Sequence, residues 1–397
     1  MVANTATSRK WSWWGELGGA VGDLGITIPL AYALVVANGY PAPRIFLLWG
    51  LMYVATGLFY RVPVSVQPLK AMAVIAIAQG LDPALIGTAA FVYGLLFVVL
   101  AASGLIRHVR RLFSAALVRG VQLGIGLILA FKAFDLIREP RFMVGGETMP
   151  MLLNVGIVLA ALALLSWGRR LTRIPPVLML VVLGMVAGWL VGGRPPVALV
   201  SGAPLLWTLP RFDLLLDAFL LLILPQLPLT VGNAVIAADD SCHTCWPERS
   251  GRVTVVRLAG SIGLGNLVIG LAGGFPVCHG AGGIAAHARF GGLTGRTTVI
   301  LGVAFVVVAL VPGGTSLLFL IPLPLLCAML LMVSWSMVRL VATLPRPGDY
   351  LVAVTVGATG LATRNLAVAL AAGWLLQFII TLVMSLTQRR PKEDSHG

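Results

Sequence analysis

Long apolar segments separated by short polar loops follow one another along almost the whole chain. Most are about 18 residues or longer, the length that an α-helix needs to cross a hydrocarbon core about 30 Å thick. We place fourteen of them, at residues 16–38, 44–60, 67–80, 84–106, 114–132, 150–167, 175–192, 213–238, 253–272, 280–289, 296–312, 315–338, 349–362 and 364–387. Two of these, 67–80 and 280–289, are too short for a full crossing. The pattern predicts an all-α membrane protein with about fourteen transmembrane segments.

Composition strengthens this prediction. The 397 residues are 58% hydrophobic and only 11% charged, and the mean hydropathy is +0.97. A soluble domain is about 25% charged, so this chain has too few polar residues to cover a soluble surface. The polar stretches are also too short to fold separately. We therefore expect one polytopic membrane domain over residues 1–397, embedded in the lipid bilayer, with no soluble domain and no cleaved signal.

The net charge of +14 arises from cations in short loops. With the amino terminus inside, alternate loops form a basic inner set. They are Arg107–Arg111, Gly168–Arg173, Asp239–Arg252, Arg289–Arg296, Arg339–Asp349 and Gln388–Lys392. This asymmetry follows the positive-inside rule and predicts cytoplasmic termini with an even number of spans. The cations are topology determinants, so we expect no nucleic-acid partner.

The segments divide into two sets of seven. A repeat with an odd number of spans inserts its second copy upside down, so residues 15–192 and 213–387 are predicted to form an inverted repeat. The two short segments then lie third in each half, as segments three and ten. Paired short, Pro- or Gly-interrupted segments at corresponding positions indicate the binding site of a transporter.

Both short segments are preceded by a Pro-Val pair, Pro63-Val64 and Pro276-Val277. Pro63 and Pro276 lack a backbone N–H and favour extended chain before a short helix, and Pro68 suits a first helical position. Two half-helices entering from opposite faces bring their amino ends, with free N–H groups and partial positive charge, close together at mid-membrane. The predicted anion-binding residues of these segments are Ser65, Val66, Gln67, Cys278, His279, Gly280 and Gly282. The alternative is a pair of ordinary kinked helices packed at glycines.

The eighth segment carries polar residues on one face. Gln226, Thr230 and Asn233 recur at spacings of four and three. Gln226 and Thr230 are predicted substrate ligands. Asn233 is predicted to support the substrate site or to take part in coupling. The alternative is hydrogen bonding between helices without substrate.

Two charged residues lie within the predicted spans. Asp23 lies among glycines and Lys70 in the first turn of the third segment, and an intramembrane charge is a functional hypothesis by default. We assign both to coupling or support, with Glu16 and His279 as further coupling candidates. Lys70 could instead bind the anion directly, pair with Asp23 or point to the inner water layer. The alternative for Asp23 is a structural pair with a basic residue or a helix-end cap.

No cofactor or metal site is predicted. Cys242 and Cys245 have C-x-x-C spacing, but one such pair in a short loop is incomplete as a zinc site. The glycine-rich segments lack the spacing of a nucleotide-binding loop. Since a membrane enzyme would need a nucleophile–base pair or a metal cluster, we predict that the chain is not an enzyme.

Four motifs together resemble the molybdate transporter family, short-chain relatives of the sulfate permeases. They are Gly22-Asp23-Leu24-Gly25 with Ile28-Pro29-Leu30, Pro63 to Ala71, Gln226 to Thr230 with Asn233-Ala234-Val235, and Cys278 to Gly283. The resemblance implies the seven-plus-seven fold of nucleobase and bicarbonate transporters. There a core domain, spans one to four and eight to eleven, holds substrate between spans three and ten and moves against a gate domain. The acidic residue of span eight in nucleobase carriers corresponds to Gln226.

The expected function is secondary active uptake of molybdate by alternating access, coupled to protons, in a bacterial-type inner membrane. Sulfate or tungstate on the same scaffold is the nearest alternative, because the three tetrahedral dianions differ mainly in size and oxygen basicity. An anion channel is a second alternative. A homodimer is compatible with the resemblance, but no interface is evident from the sequence.

Overall fold

Helices occupy every apolar segment that the sequence predicts. The structure is a computed structural model that describes residues 11–109, 112–171, 175–191 and 203–388. Parts of three predicted inner loops (110–111, 172–173 and 389–392) lie outside the described residues, as do the two chain ends.

The described part of the first half contains nine helices and one short strand. They are α1 (Trp13–Ala20), α2 (Leu24–Asn38), α3 (Ala42–Tyr60), β1 (Gln67–Pro68), α4 (Lys70–Gln79), α5 (Pro83–Ala102), α6 (Ile106–Val109), α7 (Ala115–Arg138), α8 (Met151–Leu171) and α9 (Pro176–Leu190). A single 3₁₀ turn, Val21–Asp23, joins α1 to α2 and breaks the first segment at Asp23.

The second half repeats this order. It contains α10 (Phe212–Cys245), α11 (Val255–Leu271), β2 (Val277–Cys278), α12 (Ala281–Arg289), α13 (Arg296–Leu310), α14 (Leu323–Val338), α15 (Pro347–Thr363) and α16 (Leu366–Gln388). A 3₁₀ helix, Gly314–Leu320, bends by 97° away from α13, so α14 begins at Leu323 rather than at the predicted residue 315. Pro322 lies at its amino end and cannot continue a preceding helix.

Eight helices are long and apolar enough to cross a membrane alone, or nine if α13 and its bent 3₁₀ extension count as one span. This number, which refers to the described ranges, is smaller than the fourteen predicted crossings. The difference comes from length, because α4, α9 and α11 are apolar but have 10, 15 and 17 residues. At about 1.5 Å per residue, each is shorter than a hydrocarbon core of about 30 Å.

Glycines bring the helices of the two halves into backbone contact. A Cβ atom on Gly94 of α5 would lie 2.5 Å from Leu267 N of α11, and one on Gly263 would lie 2.6 Å from Val98 N. Gly50 and Gly302 make the same kind of contact between α3 and α13. Small residues are the usual means of close helix packing in membranes. Helices from the two halves thus pack into one unit around the two strands.

Candidate functional site

The two short segments cross at β1 and β2. The strands pair antiparallel, with Gln67 opposite Cys278 and Pro68 opposite Val277. Leu69 N donates to Pro276 O at 3.0 Å. Because α4 follows β1 directly and α12 follows β2, the two half-helices leave the crossing in opposite directions with their amino ends adjacent. The structure therefore brings the two predicted motifs together.

Ser65 and His279 form hydrogen bonds between the two segments at this crossing. Ser65 Oγ donates to Gly280 O at 2.7 Å, and His279 Nδ1 lies 2.9 Å from Ser65 O, so that nitrogen carries the proton. His279 Nε2 lies 2.8 Å from Ser261 Oγ. With both ring nitrogens bonded within the protein and no exposed surface, His279 holds the two segments together.

Asn266 of α11 fastens the same crossing and was not predicted. Its side chain accepts from Val277 N at 2.8 Å and donates to Val277 O at 2.7 Å. β2 pairs with a strand on one side only. The buried Asn266 amide therefore forms the hydrogen bonds to its backbone that lipid cannot supply. An isolated Asn in an apolar segment was the sequence signal for it.

The amino end of α4 is already capped by a side chain. Gln226 Oε1 accepts from Ala71 N at 2.8 Å and from Met72 N at 3.3 Å, and Gln226 Nε2 donates to Thr230 Oγ1 at 3.0 Å. Two π-helical stretches, Ala218–Ile223 and Thr230–Ile236, flank this turn of α10. Such irregular turns are frequent at functional sites. Two of the predicted free donors of α4, Ala71 N and Met72 N, are therefore bonded to Gln226 here.

The amino end of α12 is open. Gly282 is exposed, and a Cβ atom added there would meet nothing within 4 Å. Within the described chain, the N–H groups of Ala281 and Gly282 have no acceptor. Gly280 is different, since a Cβ atom there would lie 2.0 Å from Gln67 Oε1. Of the two predicted glycines, Gly280 thus leaves room for the Gln67 side chain, and Gly282 leaves room for a ligand.

A cavity of about 1010 Å³ reaches this open helix end. Six of the twelve predicted site residues line it: Asp23, Lys70, Gln226, Asn233, Cys278 and Gly282. The other six are buried outside its lining: Ser65, Val66, Gln67, Thr230, His279 and Gly280. Lys70 is half-buried and contributes a positive charge to the cavity lining. An anion in this cavity would meet free N–H groups and an ammonium group.

The cavity lining contains a second cation that was not predicted. Arg119 of α7 is half-buried and donates to Gln122 Oε1 at 2.9 Å, and both line the cavity. Arg339 also lines the cavity and is exposed. An arginine inside a predicted span is unusual, and that position was the available signal.

Asp23 is buried in a network of polar side chains. Tyr53 OH donates to its Oδ2 at 2.7 Å, and Gln67 Nε2 donates to its Oδ1. His287 of α12 lies on the far side, with Nε2 3.9 Å from Asp23 Oδ2. Asp23 therefore joins β1, α3 and α12, and no ion pair with Lys70 is formed in the described structure. Neither Tyr53 nor His287 was predicted, because their segments are distant in sequence.

Glu16, a predicted coupling candidate, is fully buried and holds a neighbouring helix. Its carboxylate accepts from Thr294 N at 3.1 Å, from Thr294 Oγ1 at 2.9 Å and from Thr297 Oγ1. These donors lie at the start of α13, where a carboxylate stabilises free N–H groups. Cys242 and Cys245 lie in the last turn of α10, and the described residues contain no group of three metal-ligating side chains.

The chain matches known sequences over the segments that contain these site residues. A family model described as "Molybdate transporter of MFS superfamily" matches residues 15–129 and 218–337. The chain is 30% identical over 406 residues to molybdate transporter 1 of Arabidopsis thaliana, covering 92% of this chain and 88% of that protein. It is also 30% identical over 359 residues to molybdate transporter 2 of the same plant, covering 78% and 74% respectively.

Solved structures share the fold. The transmembrane domain of the cyanobacterial bicarbonate transporter BicA has a TM-score of 0.67 at 20% identity, covering 90% of this chain and 96% of that one. The murine Solute Carrier 26 family member A9 anion transporter in the inward-facing state has a TM-score of 0.66 at 16% identity, covering 95% and 69%. The chain therefore has the transmembrane fold of these transporters.

Proposed function

The chain belongs to the family of molybdate transporters, and on that premise we propose that it carries molybdate across a membrane by alternating access. It is a multi-pass membrane protein of a transporter family, not of an enzyme family. The open amino end of α12 is the observation that carries the substrate assignment. The N–H groups of Ala281 and Gly282 there have no acceptor among the described residues, and Gly282 lines the cavity together with Lys70.

The chemistry of this end suits a tetrahedral dianion. Two adjacent N–H groups bind oxygens of one anion, and the partial positive charge of the helix end and the Lys70 ammonium group offset its charge. Gln226 stabilises the facing end of α4, so the anion does not need to satisfy both half-helices. The proposed substrate ligands are the donors of α12 and Lys70, with Asn233 on the adjacent wall.

The proposed transport cycle uses two groups of helices that move against each other. We assign α1 to α5 and α10 to α13 to a core domain that holds the anion, and the remaining helices to a gate domain. We also propose fourteen transmembrane segments. They form an inverted repeat of seven plus seven, over residues 15–192 and 213–387. Phe113, Pro175 and Arg339 line the cavity and adjoin predicted inner loops. The cavity would then open to the cytoplasm, with both termini on that side of a bacterial-type inner membrane.

Uptake of a dianion needs an energy source. Against an inside-negative potential it costs about 2.3 kcal/mol per charge for each 100 mV. We propose that a proton accompanies the anion, since the cavity wall includes the buried carboxyl group of Asp23. Transport of sulfate or tungstate on the same site is the alternative, because the ligands described above recognise any tetrahedral dianion.

Titration calorimetry of the purified protein with molybdate, tungstate and sulfate tests the substrate. We expect molybdate to bind more tightly than sulfate. Sulfate binding alone would assign the chain to sulfate transport, and no binding of any oxyanion by folded protein would refute the proposal. A channel would instead pass anion currents far above the turnover of a carrier.

Gly282→Val tests the site. The valine side chain would extend into the open space at the amino end of α12 and exclude the anion, while nothing within 4 Å of its Cβ is disturbed. We expect molybdate binding to fall at least about a hundredfold, equivalent to about 2.7 kcal/mol.

Gly156→Val is the matched control. Gly156 lies exposed on α8, also with nothing within 4 Å of an added Cβ atom. We expect its affinity to equal that of the wild type. Normal molybdate binding by Gly282→Val would place the anion elsewhere.

A further inference from the structure

His287 has one ring nitrogen bonded and one without a partner. Nδ1 lies 2.8 Å from Gly19 O, and a carbonyl oxygen only accepts, so Nδ1 carries a hydrogen. Nε2 is buried and has no hydrogen-bond partner among the described residues. Asp23 Oδ2 lies 3.9 Å from it. A buried polar atom without a partner is costly, so this gap between the two groups needs an explanation.

The donors around Asp23 do not fill this gap. Tyr53 OH and Gln67 Nε2 each donate one hydrogen bond to the carboxyl group, and Tyr53 OH bonds the oxygen that faces His287. When His287 is neutral, the lone pair of Nε2 faces a carboxylate oxygen, and two acceptors oppose each other. One proton on either atom removes this conflict, because it turns the contact into a charge-assisted pair or a donor–acceptor pair.

This pair is connected to the proposed anion site in two ways. Gln67 bonds Asp23 and lies on β1, opposite Cys278 of the cavity wall. Asp23 itself lines the cavity together with Lys70, whose charge acts on the carboxyl group through space. A Cβ atom on Gly283 would lie 2.5 Å from Asp23 Oδ1, so α12 approaches the carboxyl group directly. A charge placed at the amino end of α12 therefore changes the proton affinity of the pair.

We propose that Asp23 and His287 together bind the proton that is carried with the anion. This inference rests on the proposed function and identifies the site of its coupling. The bound dianion offsets the positive charge of Lys70, and a proton from water in the cavity then adds to Asp23 Oδ2 or His287 Nε2. After the core domain moves, loss of the anion releases the proton to the other side.

Other titratable groups on the surrounding elements have separate roles. Glu16 is held by Thr294 and Thr297, and Asp239 lies 3.6 Å from His243 near the end of α10. Among the described residues, the elements around the pair carry further charged or titratable groups, which include Glu16, Tyr32, Arg44, Tyr53, Tyr60, Lys70, Asp213, Asp217, Asp239, Asp240, Cys242, His243, Cys245, Cys278, His279 and Arg289. Among them, Tyr53 donates to Asp23, and Lys70 and Cys278 line the cavity with it.

Calorimetric titration with molybdate in buffers of different ionisation enthalpy counts the protons taken up on binding. For the wild type we expect about one proton per molybdate and an affinity that falls about tenfold per unit rise in pH over the coupled range. His287→Asn keeps a donor for Gly19 O but removes Nε2, and Asp23→Asn keeps an acceptor but removes the charge. Both variants should bind molybdate with proton uptake close to zero and little dependence on pH.

His108→Asn is the matched control, because His108 is exposed on α6 and should leave proton uptake unchanged. Unchanged proton uptake in both His287→Asn and Asp23→Asn would overturn the inference, as would wild-type binding without proton uptake. Failure of folded wild-type protein to bind any oxyanion would instead refute the proposed function. If His287→Asn does not fold, Asp23→Asn alone decides between these outcomes.

Discussion

Gln226 shows how one side chain changes the character of the site. Its amide oxygen caps the amino end of α4 by accepting from Ala71 N and Met72 N, and its amide nitrogen is held by Thr230. A neutral acceptor satisfies these donors without adding charge. The resemblance to nucleobase carriers implies a carboxylate at this place, which would repel a dianion in the same cavity. Gln226 is therefore suited to an anion transporter because it caps the helix and stays neutral.

Gln226→Glu tests this interpretation. The carboxylate would bond the same N–H groups but place a negative charge on the cavity wall, so we expect molybdate affinity at pH 7.5 to fall at least about tenfold. Titration calorimetry measures the change. Gln79→Glu is the control, since it adds the same charge at the exposed carboxyl end of α4, and its affinity should stay within about twofold. Equal affinities of the two variants would contradict the assigned position of Gln226.

The half-helices depend on neighbours that fix their backbone. Each is preceded by a strand of only two residues, so side chains from other helices complete the hydrogen bonds that lipid cannot supply. Asn266 does this for Val277, and Trp49 Nε1 donates to Phe275 O at 2.9 Å. The glycine contacts between α5 and α11 then hold Asn266 in place. The helices around the crossing consequently behave as a rigid unit.

Gly94→Val tests the rigidity of that unit. Its Cβ atom would lie 2.5 Å from Leu267 N and 2.8 Å from Gly263 O, both backbone atoms that cannot move aside alone. We expect a loss of about 1–3 kcal/mol in the free energy of unfolding, as for overpacked cores, and a lower thermal midpoint in detergent. Gly156→Val again provides the control, with an unchanged midpoint. Equal midpoints would show that the α5–α11 contact contributes little to stability.

At the scale of the whole molecule, the cavity bears on the proposed direction of transport. Gly282, Ala286 and Phe290 line it, together with three cations, Lys70, Arg119 and Arg339. These cations attract an anion and raise its local concentration. If the loops next to the cavity lie on the cytoplasmic side, as the proposed topology has them, this structure is the inward-facing state of the proposed cycle.

Site-directed labelling tests this orientation. In a background without the four native cysteines, Ala286→Cys lies on the cavity wall and Ser316→Cys lies at a half-exposed position beyond the carboxyl end of α13. We expect a membrane-impermeant maleimide to label Ala286→Cys from the cytoplasmic side and Ser316→Cys from the outer side. Molybdate should slow only the first reaction. Labelling of both from one side would contradict the predicted topology.

The sequence alone determined the class of the protein and the location of its special segments. Apolar runs predict membrane helices because lipid requires both apolar side chains and internal hydrogen bonds, and Pro63, Pro276 and the glycines mark the two breaks. These constraints act locally on the backbone, so they can be recognised in the sequence without knowledge of the fold. The predicted residues of both short segments and of the eighth segment do surround one crossing.

Only the tertiary structure decided what each of these side chains does. Gln67 and His279 are apart from the cavity, Gln226 caps α4, and Asp23 meets His287 rather than Lys70. Gln226 and Ala71 are 155 positions apart in the chain, and His279 and its partner Ser65 are 214 positions apart. Helix periodicity specifies neighbours three or four residues apart, whereas such distant pairs form only when the two halves pack against each other.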